Sequence, residues 1–251
     1  MRKWIVLTGV IICMVPITLG NSNLEEFPIT TDDNNQFYPA IYGDTVVWQD
    51  IRNGNTDIYG YNLSTETSIQ ITIGTSPFGP AIFGNTIVWE DDRNGNYDVY
   101  GFDFGVNQKF RITKNKDNQM YPAIYGNIVV WSDYRGKMSD IYGYDLFLEE
   151  EFPITTGEWA QMYPAIYGDI VVWEDWRNAY LDKDLFENEG EILYKNYDVY
   201  GYNFMTETEF QITTDINDQS LPAIYGNIVV WQDDRNGNTD IYGYNLKTQE
   251  E

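Results

Sequence analysis

Pro-Ala-Ile occurs five times in this chain, at Pro39, Pro80, Pro122, Pro164 and Pro222, and each occurrence opens the same run of residues. A Trp follows nine residues later (Trp48, Trp89, Trp131, Trp173, Trp231), and an Asp stands two beyond it (Asp50, Asp91, Asp133, Asp175, Asp233). An Arg comes two further on (Arg52, Arg93, Arg135, Arg177, Arg235), and Asp-Ile/Val-Tyr-Gly then starts at Asp57, Asp98, Asp140, Asp198 and Asp240. Successive Trp residues lie 41, 42, 42 and 58 apart, so the period is near 42 and the fourth unit holds about 16 extra residues between Arg177 and Asp198. A chain of this kind is one supersecondary unit repeated, and each unit buries its apolar face only against its neighbours. Units near 39–74, 80–115, 122–157, 164–215 and 222–251, the last joined by 25–31, fill a single domain over residues 21–251.

Each unit reads as four short strands. The first is Pro-Ala-Ile-Tyr/Phe, ending in Gly-Asn or Gly-Asp as at Gly126-Asn127 and Gly168-Asp169, the residues a tight hairpin demands. The second is a continuous apolar run such as Ile128-Val129-Val130-Trp131, a pattern of burial on both faces. The third is Asp-Ile-Tyr-Gly-Tyr at 240–244, and the fourth resembles Phe210-Gln211-Ile212-Thr213. Four antiparallel strands at this period predict an all-β chain, a five-bladed β-propeller with one unit per blade. Glu25-Glu26-Phe27-Pro28-Ile29-Thr30 matches the fourth strand Glu150-Glu151-Phe152-Pro153-Ile154-Thr155, and the last unit stops where its own fourth strand should begin. The N-terminal segment is therefore expected to complete the fifth blade and close the ring, leaving no free sheet edge.

The run over residues 222–242, Pro-Ala-Ile-Tyr-Gly-Asn-Ile-Val-Val-Trp-Gln-Asp-Asp-Arg-Asn-Gly-Asn-Thr-Asp-Ile-Tyr, resembles TolB-like β-propeller repeats. It is most similar to the tandem repeats of secreted and cell-surface proteins. The resemblance implies a propeller that serves as an interaction scaffold. It does not imply a part in a Tol-type envelope complex, because these five blades come without the N-terminal α/β domain of TolB.

The sequence has 39 acidic and 15 basic residues, a formal charge of −24, no His and one Cys. Without His there is no Ser-His-Asp or Cys-His pair and no imidazole zinc site. So acidic a surface repels phosphate backbones, so no nucleic-acid partner is expected. A hydrophobic share of 43% is ample for a packed core. Arg2 and Lys3 precede an apolar run over residues 4–19 that contains Pro16 and leads to Gly20. Residues 1–20 read as a secretory signal peptide, with Cys13 inside it. The mature chain is then free of cysteine and of any membrane span, secreted or at the cell surface, and monomeric.

The connections between the fourth and first strands and the hairpins between second and third strands fall on one propeller face, where ligand sites usually lie. Two readings of the hairpins stay open. The acidic positions Asp50, Asp57, Asp91, Asp98, Asp233 and Asp240 suit calcium, or each Asp pairs with its own Arg while Asn-Gly makes the turn. Unit three keeps the length but reads Gly136-Lys137-Met138. Gln36, Gln119, Gln161 and Gln219 precede the blade proline by three, with Pro77 breaking the series; Tyr38, Tyr121 and Tyr163 precede it by one, with Gly79 and Leu221 as exceptions. These side chains are expected to ring the central channel mouth and hold sugar or peptide, or else to cap loops and pack between blades. The insertion over 178–196 and the two Trp residues near it that lie outside the repeat, Trp159 and Trp176, mark either a partner-binding projection or a plain surface loop. The five repeat Trp residues read as core between blades.

The reading that follows is a non-catalytic exported module that recognises a protein or glycan through the loop face and channel mouth, without a cofactor. One alternative is a glycoside-active enzyme. It needs two carboxylates in unequal environments about 5–9.5 Å apart, and no inner strand carries an acid within Pro-Ala-Ile-Tyr/Phe. The other is a calcium-stabilised surface protein.

Overall fold

The computed structural model describes residues 26–181 and 194–251; the signal-peptide segment and most of the insertion, with Leu185, Phe186, Ile192 and Leu193, lie outside the described residues. The described residues form strands, turns and loops, and no helix among them is long and apolar enough to cross a membrane. The first sheet is β1 (Gln36–Tyr42), β2 (Thr45–Asp50), β3 (Asp57–Asn62) and β4 (Thr67–Gln70). The second is β5 (Pro77–Phe83), β6 (Thr86–Asp91), β7 (Asp98–Asp103) and β8 (Gln108–Arg111); the third is β9 (Gln119–Tyr125), β10 (Ile128–Asp133), β11 (Asp140–Asp145) and β12 (Glu150–Pro153). The fourth opens with β13 (Gln161–Tyr167) and β14 (Ile170–Asp175) and, past the short ribbon of β15 (Tyr180–Leu181) and β16 (Tyr194–Lys195), continues with β17 (Asp198–Asn203) and β18 (Thr208–Gln211). The fifth has three strands, β19 (Gln219–Tyr225), β20 (Ile228–Asp233) and β21 (Asp240–Asn245). All pairings are antiparallel and, apart from β14 with β17 across the β15–β16 ribbon, join neighbours in sequence, so each repeat is one blade.

The first strands converge and the fourth strands splay. Rings at the ends of the first strands form a ladder, Tyr42–Phe83, Phe83–Tyr125, Tyr125–Tyr167 and Tyr167–Tyr225, with centroids 4.6, 4.5, 4.7 and 4.8 Å apart. Each first strand starts on a β-bulge. The residue before the blade proline takes a left-handed φ there: 50° at Tyr38, 57° at Tyr121, 55° at Tyr163 and 51° at Leu221. Glycine tolerates that region without strain, and Gly79 holds the position in the second sheet at φ 58°.

The conserved letters of the repeat resolve into one network per blade. The indole Nε1 of each repeat Trp donates to the Asp two residues on, at 2.8–3.2 Å. The Arg two further on grips the same carboxylate with Nε at 2.8–2.9 Å and with Nη2 at 2.5–2.7 Å. Its guanidinium lies 4.0–4.2 Å over the Tyr of Asp-Ile/Val-Tyr-Gly, at Tyr59, Tyr100, Tyr142, Tyr200 and Tyr242. A bidentate ion pair and a cation–π contact thus close over each buried carboxylate, supplying the donors it needs away from water. A third recurrent device sits at the outer edge. The Gly of β7, β11 and β17 faces a Phe across the sheet, and a Cβ on Gly143 would stand 2.6 Å from the Phe152 ring.

Four apolar cores lie between the five sheets, each joining Val, Ile and Ala from one sheet to Ile, Val, Trp and Tyr of the next. Trp89, Trp131, Trp173 and Trp231 belong to these cores, as their place within apolar runs predicts, whereas Trp48 of the first sheet is buried outside them. The fifth sheet departs from the expectation. Residues 26–31 fall in a separate unit and form no strand, Phe27 is exposed, and β21 has beyond it only an Asn245–Glu250 bridge. The structure therefore does not show the expected ring closure: the last residues turn back on β21 through the Gln249–Asn245 and Asn245–Glu250 backbone hydrogen bonds instead.

Burial pushes the Asp91 carboxyl up, but the Arg93 guanidinium and amide and the Trp89 indole outweigh it and leave the group below its ordinary value; Asp50 and Asp233 behave alike. A lowered carboxyl pKa gives stability that is present above the unfolded value of about 3.9 and lost as pH falls through the folded value. Urea titrations are expected to show the loss below about pH 4, and Asp91→Asn to remove about 3–5 kcal/mol at pH 7 by stranding Arg93 and Trp89. Gly143→Ala is expected to cost about 1–3 kcal/mol in the same measurement, because the Phe152 ring must move.

Candidate functional site

The hairpin aspartates are spoken for. Asp50, Asp91 and Asp233 hold Trp and Arg, as above. Asp57 accepts from Thr72 Oγ1, Gln70 Nε2 and the Gly74 amide, while Asp98 pairs with Arg111 Nη2 at 2.8 Å and Asp240 accepts from Asn236 and Asn238. Among the described residues no group of three or more acidic, His or Cys side chains is placed to hold a metal. Of the two readings of the hairpins, these contacts describe the Arg pairing at Asp50, Asp91 and Asp233.

The glutamines do not ring an open mouth. Gln119, Gln161 and Gln219 are fully buried. Gln119 Nε2 donates to the Asp117 carbonyl at 2.6 Å, Gln219 to that of Asn217 and Gln36 to that of Asn34, while Gln161 Oε1 accepts from Thr155 Oγ1 at 3.1 Å. They cap the loops that enter the first strands, the bland alternative weighed from the sequence. The tyrosines lie at the bulge. Tyr121 and Tyr163 pack ring on ring at 4.5 Å, half-buried, and Tyr38 packs on Phe78 at 4.5 Å with more than half of its surface exposed.

What the sequence reading missed is the residue after each repeat Trp. Glu90 Oε2 accepts from the Tyr121 amide of the next sheet at 2.6 Å, Ser132 Oγ from that of Tyr163 at 3.1 Å, and Glu174 Oε2 from that of Leu221 at 3.4 Å. In the first sheet Gln49 Nε2 donates to the Pro77 carbonyl of the second at 2.8 Å. Each sheet thus caps the strained bulge of its successor. The available signal was a polar residue between the repeat Trp and the repeat Asp of each second strand. Burial pushes the Glu90 carboxyl up to about 7, against the Tyr121 hydrogen bond, and burial likewise raises Glu174, which also accepts from the Trp176 indole at 2.8 Å.

The loop face is least regular where the third sheet meets the fourth. In the second, fourth and fifth sheets an Asn bridges the third-strand Asp to the Tyr hydroxyl: Asn94 to Asp98 and Tyr100, Asn178 to Asp198 and Tyr200, Asn236 to Asp240 and Tyr242. The third sheet has Gly136 there, and Pro153 where the first has Gln70 and the second Arg111. Among the described residues Asp140 keeps only the Gly157 amide at 3.0 Å and Thr155 Oγ1 at 3.5 Å, both on Oδ1. Burial, with the Asp133 charge adding to it, raises the Asp140 carboxyl. A cavity of about 430 Å³ opens here, lined by Gly136, Lys137, Met138, Asp140, Gly157 and Glu158. Gly157 and Glu158 also line a second cavity of about 410 Å³ with Thr156, Trp159, Arg177 and Glu209. Trp159 is 44% exposed. Trp176 is not an open platform, since it stacks on Tyr197 at 4.6 Å and 12°.

A raised carboxyl pKa destabilises the native state as pH rises from the unfolded value through the folded one. Glu90→Gln places at this position the residue that Gln49 and Gln232 supply in other blades. It is expected to leave stability unchanged near pH 4 and to raise it by about 3 kcal/mol at pH 8, flattening the fall between about pH 4.5 and 7 in urea titrations.

No protein-family model and no curated protein matches this chain; solved structures do. TolB from Acinetobacter baumannii superposes with a TM-score of 0.61 at 18% identity, over 88% of this chain and 54% of that one. A chain of a nidogen/laminin complex gives 0.58 at 12% identity, over 86% and 78%, and a prolyl endopeptidase 0.65 at 10%, over 88% and 35%. The chain spans about half the length of that TolB. At these identities the likeness is one of fold. With five repeats forming five antiparallel sheets, the fold is a TolB-like β-propeller.

Proposed function

We propose that this chain is a non-catalytic, exported binding module that holds a protein or glycan on its loop face, at the junction of the third and fourth sheets. The observation that carries the reading is the break in the repeat around Gly157. Four blades supply an Asn near the hairpin Tyr from their own sequence, whereas the third leaves Asp140 Oδ2 without a hydrogen-bond donor among the described residues, beside a cavity and with exposed Trp159 next to it. An apolar ring face, a guanidinium and a carboxylate suit the faces and hydroxyls of a sugar, or the amides of a peptide. The deeply buried acids, Glu90 and Glu174, hold backbone amides and the Trp176 indole, which favours binding over turnover. The amino-terminal apolar segment supports export, and the structural likeness to a chain of a nidogen/laminin complex supports a binding role.

A glycan and peptide array is expected to yield a ligand whose affinity falls at least tenfold in Trp159→Ala and in Asp140→Asn, with the circular dichroism spectrum intact. Unchanged binding of every array ligand by both variants would remove this site.

A further inference from the structure

The four internal interfaces are four copies of one joint, and both halves of that joint are left open at the ends of the row. The forward half, which a sheet offers to its successor, is built on Val47, Val88, Val130 and Val172 and on Ile58, Val99, Ile141 and Val199, all 0% exposed. In the fifth sheet the equivalent residues are Val230, 37% exposed, and Ile241, 71% exposed, with Ile228 and Tyr225 also open beside them. The rear half, which receives the preceding sheet, uses Ile82, Ile124 and Ile166, each 7–8% exposed; its first-sheet equivalent, Ile41, is 62% exposed, with Tyr42 open next to it. The polar lock is open too. Gln49 reaches the Pro77 carbonyl of the next sheet, whereas Gln232, at the same position and of the same residue type, lies exposed. Strand β19 packs on β13 and β1 on β5, and no comparable packing joins the first and last sheets among the described strands.

We infer that these two ends bind each other between molecules: the fifth sheet of one copy receives the first sheet of a second copy, head to tail. Ile41 would then sit against Val230 and Ile241, the Tyr225 ring would extend the ladder to the second copy's Tyr42, and Gln232 would donate to the carbonyl of its Gln36, the counterpart of Pro77. Apolar side chains left open in a contiguous patch on a soluble chain mark such a surface. The second copy is the occupant the observations favour over the same molecule's first sheet. Each internal joint is already closed at its Val and Trp residues, so bringing the two ends of one chain together would wedge those joints apart, whereas a second copy requires no change. A joint between unlike faces is heterologous, and it repeats until a ring closes or a filament grows.

Complementation separates this joint from every other mode of association. Ile41→Glu spoils only the rear half and Val230→Glu only the forward half, both at positions exposed in the single chain. Light scattering on the full chain at about 100 µM, well above the roughly micromolar dissociation constants of weak interfaces, is expected to show the wild type at twice the single-chain mass or more. Each variant alone should run at the single-chain mass, and their equimolar mixture at twice that mass. The double variant Ile41→Glu/Val230→Glu keeps neither half and should stay at the single-chain mass, alone and mixed with either single variant. A wild type at single-chain mass throughout, self-association that survives either substitution alone, or variants that do not complement would each overturn the inference; matching circular dichroism spectra exclude misfolding as the cause.

Discussion

The structure depends on a carboxylate that has been taken out of water five times over. Each repeat Asp sits beneath an Arg and beside an indole N–H, and an ionised group so buried is stable only while both donors remain in place. The Arg in turn lies on a Tyr ring that packs against the same Trp in the first three blades. The arrangement fixes the hairpin between second and third strands relative to the core, because its charged and apolar halves share residues. It also explains the acidity of the chain in part: the repeat writes a buried Asp into every blade and neutralises it locally, while the remaining acids are left to the surface.

The architecture was legible because it is periodic. Repeated Trp, Gly and Pro positions report strand, turn and bulge directly, and the apolar runs around Val130 and Val172 report burial on both faces. The Gln series stays open in the sequence between ligand binding and loop capping, and its contacts are those of capping, since a side chain at the first residue of a strand has loop carbonyls within reach before it has a ligand. The bulge caps Glu90, Ser132 and Glu174 were illegible for a different reason. Their partners lie in the next blade, about thirty or more residues away, and the residue type varies because a backbone amide donates to any oxygen that reaches it.

The candidate site was half visible. Trp159 stood out as a Trp outside the repeat, and Gly136 as a hairpin lacking its Asn. That the two departures meet around Gly157 follows from loops on one propeller face being brought together by neighbouring blades, which no spacing within a single unit reveals. Symmetry does the same for function as for stability: where every blade satisfies its own polar groups, there is nothing for a ligand to add, and where one blade fails to, a ligand has something to offer.

The bulge caps carry one more consequence. Because each of the first four sheets caps the one after it, the row has a direction, and every unit presents a like pair of half-joints whatever its rank. A unit removed from the middle would leave two neighbours that still fit, and a unit copied into the gene would find both its contacts ready. Blade number in such a chain is therefore open to change by recombination, one whole period at a time, without any compensating substitution in the core.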